Sequence, residues 1–575
     1  MEQRGWQRWL LLLLGIQLAG GQCPEQCQCV RTAQVECSGP GITAVPSPIP
    51  ANAMTLQIIN TRIAALGDAS FGNASLLIGL RIEKNNLSHI SPGAFQHLPD
   101  LRYLSLASNK LRELPVQVFE PLGKLESLLL SSNQILQVEP AHFTHLSNLK
   151  ELQLHGNNLQ EVKEGVFDQL TSLTKLNLAR NNIDHLPPRA FERLARLQVL
   201  RLYENRLQHI PAGAFDGLPE LQELGLHQNQ LETLSPELFI HNGNLQKLYL
   251  SNNLLATLPS GIFLPLRALT KITLHVNRLR DISPGAFGPM PNLRELWLYE
   301  NELSSLPAAV FANLTQLQLL VLSKNRLRSL APGAFWGLGE LLELSLHSNA
   351  LRRLDAQALE GLPKLQNISL HHNQLQVLPR GLFGATPGLQ HLQLHSNALE
   401  YLPAGIFSPL AALREVKLHN NSWRCDQGIL PLRGWLQDNP HKVGDTPPLC
   451  SQPPALQGLP IAGLPRDQLL PSAASPHPST PLPHRPSEVP RPEGAWTEPS
   501  TGLPVSPQQE VEEVEEVEEE ERGRWGLTRV QSGVVVAVIV LVCVALLAAL
   551  VALVVYGCRK KSHVVLMRMK APNEA

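Results

Sequence analysis

Seven histidines of this 575-residue chain fall on one ruler: His155, His227, His275, His347, His371, His395 and His419 are separated by 24 residues or a multiple of 24. The last four are consecutive marks. If consecutive marks are neighbouring strands, their rings lie about 5 Å apart. Protonating all four would crowd like charges, so their pKa values are expected to be coupled and depressed. Three readings compete: plain polar residues exposed on duplicated units, a pH-sensitive binding face, and imidazoles that together reach a zinc or copper ion. His372 and His391 lie nearby in sequence. His391 and His395 have the spacing of a helical metal motif, but on a strand four residues span about 13 Å, too far to share one ion. No metal and no cofactor is assigned.

A second group is aromatic and basic. Arg201, Tyr203, Tyr249, Trp297 and Tyr299 keep the same beat at two alternating positions. Arg, Tyr and Trp dominate the energetics of protein interfaces; equally, aromatics on one sheet face can pack on one another. The ligand-binding set expected on these grounds is Arg201, Tyr203, Tyr249, Trp297, Tyr299, His347, His371, His395 and His419. The sequence contains no phosphate-binding loop and no nucleophile elbow, and the reading is of a binding protein rather than an enzyme.

The elements that must position these residues are repeats. All 14 phenylalanines, from Phe71 to Phe407, share the 24-residue register, and the single empty slot holds Leu359. An asparagine column runs from Asn85 to Asn421 on the same period. Each unit reads L-x-x-L-x-L-x-x-N-x-L, as in Leu293-Arg-Glu-Leu296-Trp-Leu298-Tyr-Glu-Asn301-Glu-Leu303, which is the leucine-rich repeat signature. Leu296 and Leu298 point to one side of a short strand, and Glu295, Trp297 and Tyr299 to the other. Sixteen uninterrupted units follow, the first with Thr61 in place of Asn. The expected fold is an α/β-type repeat solenoid, a leucine-rich repeat horseshoe with a parallel concave sheet, disulfide caps at both ends and one transmembrane helix. The concave surface is its default binding face.

The flanks place this solenoid outside a cell. Residues 1–21 read as a signal peptide, with Arg4 and Arg8 before an apolar run and Ala19-Gly20-Gly21 at its end. The uncharged run 533–556 is long enough to span a bilayer, and Arg559, Lys560 and Lys561 after it set a type I orientation at the plasma membrane. Secretion favours disulfides over zinc for Cys23, Cys27, Cys29 and Cys37 in the N-terminal cap, 22–52, and for Cys425 and Cys450 in the C-terminal cap, 419–465. The repeats fill 53–418. A stalk at 466–532, rich in Pro, Ser and Thr, ends in a run with nine glutamates between Glu510 and Glu521, and a tail of 557–575 follows the span. Sequons mark Asn73, Asn86, Asn313, Asn367 and Asn420; glycans on Asn367 and Asn420 would narrow the usable concave face. The formal net charge of −1 gives heparin-like or nucleic-acid binding no support from charge alone.

The C-x3-C-x-C-x7-C cap, the 24-residue units and the Asn421-Ser-Trp-Arg-Cys425 lead into the second cap resemble extracellular leucine-rich repeat proteins. Strings such as LRIEKNNLSHISPGAF, LQVLRLYENRL, GPMPNLRELWLYEN and the tail LMRMKAPNEA carry the likeness to cell-surface members. The SWRC lead is similar to that of platelet adhesion glycoproteins as well. The resemblance implies the pairs Cys23–Cys29 and Cys27–Cys37. It also implies Cys425–Cys450 as the pair left in a second cap where Gln427 replaces one cysteine and another is absent. For function it implies an adhesion receptor that binds matrix proteins such as collagen, fibronectin and laminin and promotes cell migration. The short tail leaves room for a co-receptor that signals through a membrane partner in cis.

Overall fold

Leucine at every second strand position, repeated in each unit, leaves one arrangement that hides them all: strands side by side, leucine over leucine. The computed structural model describes residues 23–30, 33–68, 70–72, 74–283 and 285–469. The signal segment, Asn73, the stalk beyond 469 and the apolar run 533–556 lie outside the described residues. Among the described residues no helix is long and apolar enough to cross a membrane.

One sheet of 18 strands holds the chain together. Its first two strands, Cys27–Val30 and Gln34–Ser38, are an antiparallel hairpin. The second lies parallel to Thr55–Ile59, and from there each rung is parallel to the next as far as Glu415–Lys417. The register advances by one unit per rung, with Leu176 beside Leu200 and Leu296 beside Leu320. The stacked leucines are completely buried.

Each unit must turn inward after its strand, which leaves backbone groups without sheet partners. The asparagine column satisfies them. Asn205 Nδ2 donates to the carbonyls of Leu178 and Leu202, both at 3.0 Å, and its Oδ1 accepts from the Ile183 amide at 3.0 Å. One amide thus ties two rungs, and a buried group left unpaired by its loss would cost about 1–3 kcal/mol. At the first unit Thr61 reverses the roles. Its amide and hydroxyl both donate to Asn85 Oδ1, at 2.7 and 2.6 Å.

The residue before each asparagine is left-handed in every unit, from Asn60 at φ 57° to Asn420 at φ 52°. Asn, Gly and Ser suit this position, whereas Val276 at φ 52° carries a branched Cβ in a region that branched residues avoid. Val276→Asn should therefore raise stability by about 1 kcal/mol. A denaturant midpoint at or below that of the wild type would show that the valine side chain repays its strain in packing.

The phenylalanines line the returning limb as a buried spine. Ring centroids of successive pairs lie 6.1 Å apart at Phe71–Phe95, 6.5 Å at Phe191–Phe215 and 5.9 Å at Phe263–Phe287. Leu359 fills its slot with no exposure. The spine ends against the second cap, where Trp435 of the helix Leu430–Asp438 sits 4.6 Å from Phe407. Trp423 is fully buried and donates from Nε1 to the Leu418 carbonyl at 3.0 Å. Disulfides join Cys23 to Cys29, Cys27 to Cys37 and Cys425 to Cys450. The hairpin at one end and the helix at the other close the two faces of the leucine core that a bare solenoid would leave open to water.

Candidate binding face

Three side chains of each strand leave the core side: those two, four and six residues before the asparagine. Between Tyr203 and Tyr299 these columns form one continuous chain of ring and cation contacts, with an ion-pair cluster around Glu223 on the same rungs. Arg201 pairs with Glu223 at 2.9 Å, and Lys247 reaches the same carboxylate at 3.9 Å. Tyr203 stacks on His227 at 4.4 Å, and His227 meets Tyr249 edge-on at 5.8 Å. The Lys271 ammonium lies 5.9 Å from the Tyr249 ring and 5.5 Å from the Trp297 ring, and pairs with Glu295 at 3.4 Å. Trp297 Nε1 donates to the same Glu295 at 3.2 Å. His275 stacks on Tyr299 at 4.4 Å.

This packing corrects one expectation. Trp297 is not an open contact residue, because it is only 8 % exposed. Lys271 covers one side of its indole, His275 and Tyr299 meet it edge-on at 6.4 and 6.3 Å, and Glu295 takes its N–H. Outward direction on a strand does not ensure exposure when the neighbouring outward side chains are long enough to close over a ring. Arg201, Tyr203, Tyr249 and Tyr299 remain half-exposed. Lys271, Glu295 and Glu223 belong to the network and are absent from the sequence-based set. Their signal was the third column, Glu223, Lys247, Lys271, Glu295, an unbroken run of charged residues of both signs on the 24-residue period.

Further along the sheet His347, His371, His395 and His419 stack in sequence at 4.4, 4.4 and 4.6 Å. His372 stands edge-on to His371 and His395 at 5.3 and 5.8 Å. Burial is the first cause of their depressed basicity, and neighbouring positive charge the second, which reorders the explanation expected from crowding alone. His347 falls to about 4, with Lys324 and His372 adding to desolvation. His371 falls to about 3, between His347 and His395, and His395 to about 4 beside His419. His419, at the open end of the stack, is lowered by burial and Lys417. In the central network His227 falls to about 4, with Arg201 nearby, and His275 to about 3, with His227 and Lys271 nearby. The Nδ1 atoms of His227, His275 and His395 are buried without a hydrogen-bond partner, a setting that suits a neutral ring far better than a charged one.

The stack does not suit a single metal ion. Two bonds of 2.0–2.1 Å place their nitrogens no more than about 4.2 Å apart, while parallel rings 4.4 Å apart hold corresponding nitrogens at a similar separation with lone pairs that do not converge. Among the described residues no group of three or more His, Cys, Asp or Glu is arranged to hold a metal. His155 stands apart from the stacks and contacts Gln153 and Asn177 at 3.2 Å each. Asn86, Asn313 and Asn420 are exposed, and Asn367 is half-buried on the strand Asn367–Ser369.

The family model described as "Leucine rich repeat" matches residues 51–111, 123–183, 171–231, 219–279, 267–327, 315–375 and 363–422. The chain belongs to the leucine-rich repeat family. Among curated relatives, this leucine-rich repeat protein is similar to leucine-rich repeat-containing protein 15 of Homo sapiens, with 54 % identity over 87 residues, 14 % of this chain and 15 % of the relative. It is also similar to reticulon-4 receptor-like 2 of Homo sapiens, 38 % identical over 121 residues, 21 % of this chain and 28 % of the relative. The matches thus span about 15 % and 28 % of these relatives' lengths. Among solved structures, the plant peptide hormone receptor RGFR1 in complex with RGF2 superposes with a TM-score of 0.54 at 26 % identity, covering 69 % of this chain and 63 % of that one. The likenesses are to receptor-like, ligand-binding leucine-rich repeat proteins.

Proposed function

We propose that this leucine-rich repeat protein is a cell-surface adhesion receptor whose concave face binds an extracellular matrix protein and promotes cell migration. In this reading the run 533–556 anchors it and residues 22–52 and 419–465 are its caps. The observation that supports the binding face is the continuous chain of ring and cation contacts from Tyr203 to Tyr299, with Tyr203, Tyr249 and Tyr299 half-exposed on it. Tyrosines backed by stacked imidazoles are already ordered, so a partner need not immobilise them on binding. Three disulfides fit an oxidising extracellular setting.

The test uses cells displaying the full-length protein on collagen, fibronectin and laminin. Tyr203→Ala/Tyr299→Ala should weaken adhesion at least about thirtyfold, as loss of interface anchors does, while surface expression stays level. Unchanged adhesion would move the site off the concave face. The likeness to a receptor solved with its peptide supports a second reading, a ligand-binding co-receptor with a signalling partner in cis. Absence of adhesion to all three matrices would favour it.

A further inference from the structure

The loop after each asparagine forms its own ladder along one flank of the solenoid. The amides of Arg278, Glu302, Arg326 and Ala350 each donate at 2.9 Å to the carbonyl of Leu255, Leu279, Leu303 and Leu327 on the preceding unit. Residues at this position and two and three beyond it are therefore fixed in rows, about 4.8 Å apart from unit to unit. Over four consecutive units these rows hold Arg278, Arg280, Arg326, Arg328, Arg352 and Arg353, every one exposed.

The acids in these rows are Asp281 and Glu302. Glu302 is shared by Arg280 at 3.6 Å and Arg326 at 3.3 Å. Arg352 gives Nε to the neutral Gln374 at 3.2 Å. Arg278, Arg328 and Arg353 have no ion-pair partner among the described residues. Lys324, one position before its asparagine, is already paired with Glu300 at 2.6 Å. The spaces between the guanidiniums are filled by Ser304, Ser305, Ser329 and Ala350.

We propose that this flank binds a linear sulfated polysaccharide. The array follows the flank ladder, with arginines on three of its four units, and over three rung spacings it runs roughly 15 Å before the reach of the side chains is added. It is built of arginine, whose planar fork offers paired N–H donors to the oxygens of a permanently ionised group, where lysine offers a point charge. It has no aromatic or aliphatic anchor between the charges, and so lacks the apolar centre on which a protein partner would close. A flexible polyanion needs no such centre. The site is separate from the concave network and takes a different class of ligand.

The probe is heparin. Full-length protein should be retained on heparin resin at about 0.15 M salt and released as screening increases. Arg328→Ala/Arg352→Ala/Arg353→Ala should bind at least about tenfold more weakly with an unchanged melting midpoint. The corresponding triple Lys variant, which keeps the charge and loses the fork, should fall in between. Arg193→Ala/Arg196→Ala, on another part of the surface, should bind like the wild type. Undiminished retention of the triple Ala variant would overturn the assignment, as would release of the wild type at about 0.15 M salt or equal binding to fully desulfated heparin. Retention on polyglutamate resin without retention on heparin would assign the flank to an acidic polypeptide and refute the polysaccharide.

Discussion

Phe215→Ala should cost about 3–5 kcal/mol, with the loss confined to a few rungs. The ring is fully buried and lies 6.5 Å from Phe191 and 6.4 Å from Phe239. Removing it leaves a cavity whose walls are the neighbouring rings, held in place by their own units and unable to collapse into the gap. Units touch only their neighbours, so the damage has no route to the ends. Amide exchange should accelerate at the rungs Val199–Arg201 and Glu223–Gly225 while the rungs near Leu319–Val321 keep their protection. Phe215→Leu should cost only about 1 kcal/mol, because Leu359 fills the same slot in its own unit with no exposure. Uniform acceleration across all rungs in the Ala variant would show that the solenoid unfolds as one cooperative body.

The second large effect is loss of stability in mild acid. His227 and His275 are held neutral in the fold, down to about 4 and about 3, against an ordinary value of 6.5. Their folded pKa values are depressed, so the unfolded chain binds more protons wherever the pH lies between the two values. The stability they lend is complete above about pH 6.5 and falls as pH drops toward 4, by up to about 1.4 kcal/mol per pH unit for each fully neutral ring. The two together should contribute on the order of 2 kcal/mol per unit between pH 6 and pH 5. The half-open rings of His347, His371 and His395 add less than their shifts suggest, because solvent screens them. Denaturant midpoints at pH 7, 6 and 5 test this. His227→Gln/His275→Gln should flatten the slope, and an unchanged slope in that variant would remove these two residues from the explanation. The same neutrality bears on ligand binding. His227, His275, His347, His371 and His395, which stay uncharged to about pH 4, do not alter the concave face between pH 7.4 and pH 6.0, which weighs against a pH-sensitive reading that rests on these five rings.

The repeat, the rung count and the parallel sheet were legible because a burial pattern wrote them. Leu at alternate positions, Phe on the return and Asn at the turn each have one physical reason to recur, and Leu359 and Thr61 are substitutions that keep that reason. The concave face was legible only as far as direction. Strand alternation aimed Trp297 out of the core, but its cover combines Glu295 of its own strand with Lys271 and His275 of the preceding rung, a set of contacts that spans two units. The stacking distance of the histidines followed from strand spacing, whereas the depth of their burial required the side chains on both neighbouring rungs. Trp435, which terminates the phenylalanine spine, falls outside the repeat period and had no register to announce it.

The asparagine column also governs how such a molecule can change over time. Each asparagine is bonded to its own rung and back to the preceding one, as Asn205 is to Leu202 and to Leu178 and Ile183. A gain or loss of one residue inside a unit would break this bonding and turn the strand's leucines outward together. A gain or loss of a whole unit would break nothing and would only move the caps apart or together. Length in this architecture is therefore inherited in steps: lineages can lengthen or shorten the solenoid by duplication and deletion of complete turns, and every surviving chain is a whole number of them.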